Sequence, residues 1–228
     1  MTNILERDSA FSYQCNAWGR CCHRKRIQTN PYELLRLSRN CGMSTGEFAR
    51  RYLELEGPYL RVRDDGSCVF LNNKGCIVHA DRPLACRTYP LGRWVSGVGV
   101  ETFRELKPHP QTEGEYGREG TVGQFLAEQD VFPYLDAADQ YQALFYRLFE
   151  ALQQALPRDA RLADEARAAM YATDARDIPA FMEWLDVDLT VERYCGEHGI
   201  AVPRETDETI NLHIRAIDEW LEKFGGGL

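Results

Sequence analysis

Six cysteines in the first 86 residues of this chain have a spacing that could bind a metal. Thiolates are soft ligands, and they select zinc, copper(I) or iron–sulfur clusters over hard cations. One tetrahedral zinc needs four ligands, and a cubane iron–sulfur cluster takes about four cysteines. Six thiols exceed either need, so a binuclear site, a second metal or redox-active thiols stay open. The candidate ligands are Cys15, Cys21, Cys22, Cys68, Cys76 and Cys86.

Small and rigid residues beside these cysteines suit a metal pocket. Gly19, Gly66 and Gly75 each lie one or two residues before a cysteine. Glycine lets the backbone turn sharply, so that amides can approach metal-bound sulfur. Pro83 favours the first turn of a short helix that carries Cys86.

Basic residues also adjoin the cysteines. Arg82 and Arg87 flank Cys86, where they either stabilise a thiolate or form surface ion pairs. The run Arg24-Lys25-Arg26 follows Cys22 directly. We interpret this run as a solvated turn that offsets thiolate charge, with a docking site for an acidic partner as the alternative.

The N-terminal region indicates a reducing compartment. Residues 1–10 are polar and lack the apolar core of a signal peptide. No apolar run approaches the roughly 18 residues that span a bilayer. We therefore expect a cytoplasmic protein with no membrane association, in which clustered cysteines bind metal. Disulfides are the alternative.

The charge of the chain is unevenly distributed. Of 228 residues, the first 100 hold 15 Lys and Arg against 9 Asp and Glu, and the remainder holds 12 against 26. The net charge of −8 argues against a general nucleic-acid binder. Binding to a protein partner stays an open alternative.

Start signals in the first half predict two helices. Asn30, Pro31 and Glu33 form an N-cap, a first-turn proline and a capping-box glutamate, so a helix should run to about Asn40. Residues 44–47, Ser-Thr-Gly-Glu, form a second capping box.

A strand pair, a hairpin and a long loop are predicted to follow these helices. Residues 59–63 and 68–72 read as short strands joined by a turn. A hairpin is expected around Ser96-Gly97, with arms at 93–95 and 98–103. Residues 106–120 have many breakers and no periodicity, which predicts a long loop or linker.

The second half is predicted to be helical. Thr121 with Gln124 caps a short helix, residues 135–152 carry the apolar face of a long one, and residues 210–224 repeat apolar side chains at helical steps up to Gly225. The predicted fold class is α+β, mostly helical, with a loop-rich cysteine-cluster region packed against a C-terminal helical region. We place the division between 1–105 and 106–228, and a single continuous domain is the alternative.

Four cysteine-bearing segments together match a known pattern. They run from Cys15 to Cys22, Gly66 to Leu71, Cys76 to His79 and Arg82 to Pro90. They resemble the YkgJ-type cysteine-cluster family, described as zinc- or iron-chelating, whose motifs are Cys-x2-Cys-x2-Cys-Cys, Gly-x-Cys-x-Phe-Leu, a cysteine before an Ile-Tyr-like pair, and Arg-Pro-x2-Cys-Arg-x-[Phe/Tyr]-Pro. The resemblance covers about a third of the chain and implies a cysteine-ligated zinc or iron site.

The chain departs from the family pattern at two positions. Trp18 stands where the opening motif has its second cysteine, and His79 stands where the family usually has tyrosine. Either the thiol at position 18 is not an essential ligand, or this site is altered. His79 is interpreted as a hydrogen-bonded loop histidine, with a ligand that replaces the lost thiol as the alternative.

Two further cysteines are weaker candidates. Cys41 lies at a helical step from Leu34 and Leu37 and is predicted to be a small core residue. Cys195 and His198 form a Cys-x2-His pair that could hold half a metal site, although a helix-end cysteine is the simpler interpretation.

Three functions fit these residues. The first is an iron–sulfur protein in redox chemistry or in modification of a partner, since some relatives in the family are linked to protein methylation. The second is a structural zinc module for binding a partner. The third is a metal carrier or sensor. No methyl-donor glycine loop and no Cys-x3-Cys-x2-Cys motif is present, so whether the protein is an enzyme stays open.

Overall fold

The computed structural model describes residues 4–14, 19–54, 57–106, 114–155 and 185–225. Within these ranges the chain forms short strands and seven α-helices, and the predicted α+β, mostly helical class is confirmed. The strands are β1 (Ile4–Leu5), β2 (Ala10–Gln14), β3 (Leu71–Asn72), β4 (Gly75–Cys76), β5 (Leu91–Val95), β6 (Glu101–Glu105) and β7 (Glu115–Thr121). The helices are α1 (Pro31–Asn40), α2 (Thr45–Tyr52), α3 (Leu84–Thr88), α4 (Val122–Glu128), α5 (Phe132–Ala155), α6 (Val187–His198) and α7 (Thr206–Gly225). None of the helices in these ranges is long and apolar enough to cross a bilayer.

The chain divides into two compact units. The cysteine unit comprises Met1–Gln28 and Tyr59–Leu135, and the helical unit comprises Thr29–Pro58 and Asp136–Leu228. All the strands named above belong to the cysteine unit, together with α3 and α4. The predicted division between 1–105 and 106–228 cuts the chain differently and stays a prediction.

The cysteine unit contains three small antiparallel sheets. The strand orders are β1-β6-β5, β2-β7 and β3-β4. The predicted hairpin around Ser96-Gly97 is confirmed, because Val95 of β5 pairs with Glu101 of β6. Of the two strands predicted at 59–63 and 68–72, only β3 forms, and Val62 makes an isolated bridge to Cys68.

The strand β7 corrects the prediction of a loop over 106–120. Residues 115–121 pair with β2, in a register that sets Tyr13 opposite Tyr116 and Ser12 opposite Gly117. Local sequence gives no strand signal here, since Glu-Tyr-Gly-Arg-Glu-Gly-Thr has no apolar alternation. The strand forms because β2, about a hundred residues away along the chain, supplies its hydrogen bonds. The remaining loop residues 107–113 lie outside the described ranges.

An aromatic core holds the cysteine unit together. Phe11, Phe103 and Phe125 are almost completely buried, and the rings of Phe11 and Phe125 meet edge to face at 5.1 Å between centroids. Such pairs contribute about 0.5–1.5 kcal/mol beyond their buried area. Cys21 and Leu84 pack against the edge of this core. The core therefore supports the segments that carry Cys21 and α3.

The helical unit begins its helices as their sequences predict. Asn30 forms both bonds of a capping box with Glu33 at the start of α1, and the Ser44 side chain accepts the Glu47 N–H at the start of α2. Helices α5 and α7 also appear where the apolar periodicity places them. In the cysteine unit, α4 begins as predicted, because Thr121 forms both capping-box bonds with Gln124.

Candidate metal centre

Five of the six candidate cysteines line one cavity in the cysteine unit. They arrive from separate local structures: a 3-10 helix over residues 20–22, the turn before β3, the strand β4 and the helix α3. All five side chains are partly exposed. These five are Cys21, Cys22, Cys68, Cys76 and Cys86. The sixth, Cys15, lies outside the described residues, as does Trp18.

Backbone hydrogen bonds tie the cysteine-bearing segments to one another. The Cys68 amide donates to the Cys22 carbonyl over 2.8 Å, and His23 pairs with Ser67 as a β-bridge. Leu71 of β3 is the register partner of Cys76 in β4. These bonds bring together thiols that lie more than 40 residues apart in sequence.

Glycine is required at the entrance to the first of these segments. Gly19 has a φ of 70°, and a Cβ built on it would lie 2.2 Å from the Leu71 Cδ1. Any side chain at this position would both strain the backbone and displace Leu71. Gly66 and Gly75 also have positive φ values, of 81° and 110°, so the predicted sharp turns at these three glycines are confirmed, and the approach of amides to metal-bound sulfur stays a prediction.

The thiols interact electrostatically across the cavity. A hydrogen bond from the Cys22 thiol, together with the charges of Lys25 and Arg82, outweighs the effect of burial and lowers the pKa of Cys21 to about 6. The same bond raises the pKa of Cys22. Burial raises the pKa of Cys68 and of Cys76, and in each case it outweighs a backbone hydrogen bond that lowers the pKa. In the described conformation, a thiolate at Cys21 therefore shares the cavity with neutral thiols at Cys22, Cys68 and Cys76.

Lys25 contributes positive charge to this cavity. Its ammonium lies 3.2 Å from the centroid of the Tyr89 ring, and both residues line the cavity. The charge of Lys25 lowers the pKa of Cys21. Within the predicted basic turn, Arg24 and Arg26 are exposed, whereas Lys25 turns toward the thiols.

The two arginines beside Cys86 both donate hydrogen bonds to backbone carbonyls. Arg87 is only 4% exposed, and its guanidinium donates to backbone carbonyls and to the Tyr134 hydroxyl. Arg82 lines the cavity and donates to the carbonyl of His79 over 2.8 Å. Both side chains therefore hold the local backbone, and Arg82 also adds charge that favours thiolates at Cys21 and Cys76.

His79 lies on the wall of the same cavity. Burial lowers the pKa of its imidazole, and the charges of Arg82 and Arg87 lower it further. The ring is therefore neutral at pH 7, which is the form that binds metals. Its position leaves both interpretations open, a loop histidine or a replacement ligand.

The donor set suits zinc or iron, but the side chains are not closed around a single point. Soft thiols from five cysteines share one cavity, which is the chemistry that both metals accept. Among the described residues, however, no three Cys, His, Asp or Glu side chains form a group that could hold a metal ion. The cavity therefore fits these metals by the chemistry of its donors.

Comparison with known families agrees with this donor set. Residues 14–109 match the family model CxxCxxCC, described as "Putative zinc- or iron-chelating domain". The match confirms the resemblance to the YkgJ-type cysteine-cluster family and includes all six candidate cysteines. It supports metal binding by this segment, with zinc or iron as the metal. Neither the curated proteins nor the solved structures contain a match to the chain.

The other cysteine–histidine pair is arranged differently from the CxxCxxCC segment. The buried Cys195 thiol faces the Ala201 carbonyl, with sulfur and oxygen 3.7 Å apart. The His198 ring stacks on Tyr194 and lies 3.3 Å from the Glu219 carboxylate through its Nε2. The pair therefore makes separate local contacts, as expected for a cysteine near a helix end. Cys41, predicted as a core residue, is partly exposed instead.

Four residues at or near the cavity are not predicted as site residues by the sequence. Lys25 and Tyr89 line the cavity, but the sequence places Lys25 only in a basic turn and Tyr89 only in a family motif. Gln129 and Tyr134 contact the arginines, and no sequence pattern indicates them. Their side chains carry no local pattern that distinguishes them from other residues of a helical segment.

Proposed function

We propose that the thiol cavity holds an iron–sulfur cluster, and that the protein uses it in redox chemistry or in modification of a partner. The observation that carries this proposal is the arrangement of the sulfurs. Five thiols line one cavity, yet no three of the described side chains converge as a single-ion site.

A cluster and a single ion make different demands on the spacing of their ligands. Zinc takes each thiolate at about 2.3 Å from one central atom, so four sulfurs must converge on a point. An iron–sulfur cluster presents several iron atoms, each of which takes its own cysteine. Thiols that surround a cavity without converging are therefore better matched to a cluster.

The charges at the cavity also favour an anionic centre. Lys25 and Arg82 both lower the pKa of Cys21, and ligand thiols must be deprotonated to bind. Net charge, hydrogen bonds to sulfur and solvent exposure set the reduction potential of a cluster. The five partly exposed cysteines would leave one side of the cluster accessible to an electron-transfer partner.

The residues that would hold the centre are the candidate cysteines of this segment. Cys21, Cys22, Cys68, Cys76 and Cys86 line the cavity, and Cys15 precedes them in the same family-matched segment. His79 is the candidate for the position of the thiol that Trp18 replaces. A bound cluster would supply one-electron chemistry, while this chain would supply the ligands, the positive charge and the apolar wall.

A zinc module is the second candidate function, and a separate observation favours it. The cysteine-bearing segments contain only two-residue strands, one 3-10 turn and a five-residue helix. Segments with so little regular structure often depend on a structural zinc for folding. Partly exposed thiols would also suit a metal carrier or sensor.

Metal analysis of anaerobically purified full-length protein tests these proposals. Iron with acid-labile sulfide and a visible absorption that bleaches on reduction would support the cluster. Stoichiometric zinc in colourless protein would contradict the cluster and support the zinc module. Protein that contains no metal, and takes up neither zinc nor iron, would overturn metal binding altogether.

A further inference from the structure

We propose that Gln129 and Tyr134 position Cys86 for metal binding, through the side chains of Arg82 and Arg87. Both residues lie beyond residue 109, where the match to the chelating domain ends. They belong to the same cysteine unit as the cavity. The inference rests on the proposed metal site, and it identifies a part of the chain outside the family pattern that the site needs.

Arg87 is the centre of this arrangement. Its Nη1 donates to the Gln129 carbonyl over 2.8 Å, and its Nη2 donates to the Tyr134 hydroxyl over 2.9 Å. The guanidinium carbon also lies 4.2 Å from the centroid of the Tyr134 ring. Arg87 thus joins α3 to the turn before α5 and to the first turn of α5 itself.

The same arginine holds the turn that carries Cys86. Its Nε donates to the Arg82 carbonyl over 3.0 Å, and its Nη2 also donates to the Ala80 carbonyl. Cys86 lies between these two arginines, and its own amide donates to the Pro83 carbonyl. A five-residue helix such as α3 is marginal by itself, so these contacts decide where the Cys86 thiol lies.

Arg82 provides the second connection to Gln129. Its Nη2 donates to the Gln129 Oε1 over 2.8 Å, while its Nη1 donates to the His79 carbonyl over 2.8 Å. Gln129 therefore contacts both arginines, one through its side chain and the other through its backbone. These two contacts set the position of the Arg82 guanidinium, which lines the cavity, relative to the buried Arg87 guanidinium.

The charge of Arg87 links this arrangement to the metal rather than to folding alone. Within the described part of the chain, its four hydrogen-bond acceptors are neutral and no carboxylate pairs with it. A buried guanidinium without a counter-ion is costly. Metal-bound thiolates at the adjacent Cys86 would supply the missing negative charge, so metal binding and this buried cation should stabilise each other.

Three variants test the inference in the full-length chain. Gln129→Ala removes the Arg82 contact and leaves the backbone contact to Arg87, whereas Gln129→Glu keeps an acceptor oxygen. Tyr134→Phe removes one hydroxyl and keeps the ring. The controls are Gln140→Ala and Tyr146→Phe, because both residues lie on exposed positions of α5.

The measurement is the affinity for Zn²⁺ under anaerobic, reducing conditions, by competition with a chromogenic chelator. The thiolate-to-metal absorption of the Co²⁺ form counts the sulfur ligands. We expect Gln129→Ala combined with Tyr134→Phe to weaken Zn²⁺ binding about tenfold and to lower the sulfur count by one. Gln129→Glu should retain the affinity of the unaltered chain, and the controls should too.

Two results would overturn the inference in distinguishable ways. Unchanged Zn²⁺ affinity and sulfur count in the Gln129 and Tyr134 variants, beside a clear loss in Cys86→Ser, would remove the positioning role and keep the metal site. If the unaltered chain bound neither Zn²⁺ nor Co²⁺, the site itself would fall, and the positioning role with it. Thermal unfolding of each variant separates a local effect from loss of the fold.

Discussion

The cysteines of the two units differ in what their thiols contact. In the cysteine unit, five thiols on turns and short elements face one cavity and alter one another's pKa values. In the helical unit, Cys195 is buried in α6, and its sulfur faces the carbonyl of Ala201, six residues away. Cys41 ends α1 and is partly exposed.

This difference shows what makes a cysteine available for a metal. The chain that follows α6 places the Ala201 carbonyl near Cys195, so this thiol finds a partner six residues away. The turns around Cys21 and Cys68 use their backbone groups to join one segment to another, and the thiols are left to face the cavity. A cavity lined by thiols from distant segments is therefore a better sign of a site than Cys-x2-His spacing alone.

The largest expected effect comes from removing a cavity thiol. Cys21→Ser and Cys86→Ser should each abolish most of the bound metal, because a lost ligand leaves the remaining thiolates with an incomplete coordination shell. Metal content per protein, measured on anaerobically purified samples, is the readout. Cys41→Ser and Cys195→Ser are the matched controls and should keep full occupancy. A fully occupied Cys86→Ser protein would remove Cys86 from the ligand set.

The next largest effect is expected from metal removal, which should change hydrogen exchange in the cysteine unit and leave the helical unit unchanged. The segments that carry the cavity cysteines have little regular structure, so binding should contribute to their folding. After treatment with a chelator, hydrogen exchange should accelerate in residues 19–28 and 59–90 and stay unchanged in α7. An equal acceleration in both regions would show that the metal stabilises the whole chain rather than the cysteine unit.

A smaller effect is expected at the start of α2 in the helical unit. The buried Thr45 hydroxyl donates to the Asp186 carboxylate over 2.8 Å and accepts the Asp188 amide over 3.0 Å. Thr45→Val keeps the shape and removes these bonds, so the free energy of unfolding should fall by about 1–3 kcal/mol. Denaturant unfolding measures this change. Metal content should be unaffected, and a loss of metal in this variant would break the distinction between the units.

The smallest effect concerns Glu101 in the cysteine unit. Burial alone would raise its pKa, but hydrogen bonds from Arg7 and Arg93 outweigh burial and hold the pKa below the ordinary value of 4.5. The carboxylate should therefore stabilise the folded state above pH 4.5, and this contribution should vanish as the pH falls through the lowered pKa.

The difference in unfolding free energy between the unaltered chain and Glu101→Gln measures this contribution. We expect less than about 1 kcal/mol at pH 7, since Arg7 is half exposed and solvent screens the pair. The difference should shrink as the pH falls below 4.5 and vanish once the pH lies below the lowered pKa. A difference that did not change with pH would indicate that Glu101 acts through packing instead of charge.

Elements with strong local signals could be predicted from the sequence. Helix α1 follows from Asn30, Pro31 and Glu33, because a cap, a first-turn proline and a reciprocal glutamate all act within four residues. The hairpin of β5 and β6 likewise follows from a turn between two short arms. Such elements depend on interactions between near neighbours, which sequence displays directly.

Elements that depend on distant partners could not be predicted. The strand β7 has no apolar alternation and exists because it pairs with β2. The position of Lys25 at the cavity likewise depends on its contact with Tyr89, and Gln129 is linked to the cavity only through its contact with Arg82. Nothing in the neighbouring residues indicates either contact.

The sequence by itself determined the kind of chemistry, since six clustered cysteines in a family pattern specify soft, sulfur-based metal binding. Only the tertiary structure decided which thiols share a cavity and which cations face them. The physical reason is that ligand chemistry belongs to the side chains themselves. Spacing and charge at a site are set by backbone bonds and packing between segments that lie far apart in sequence.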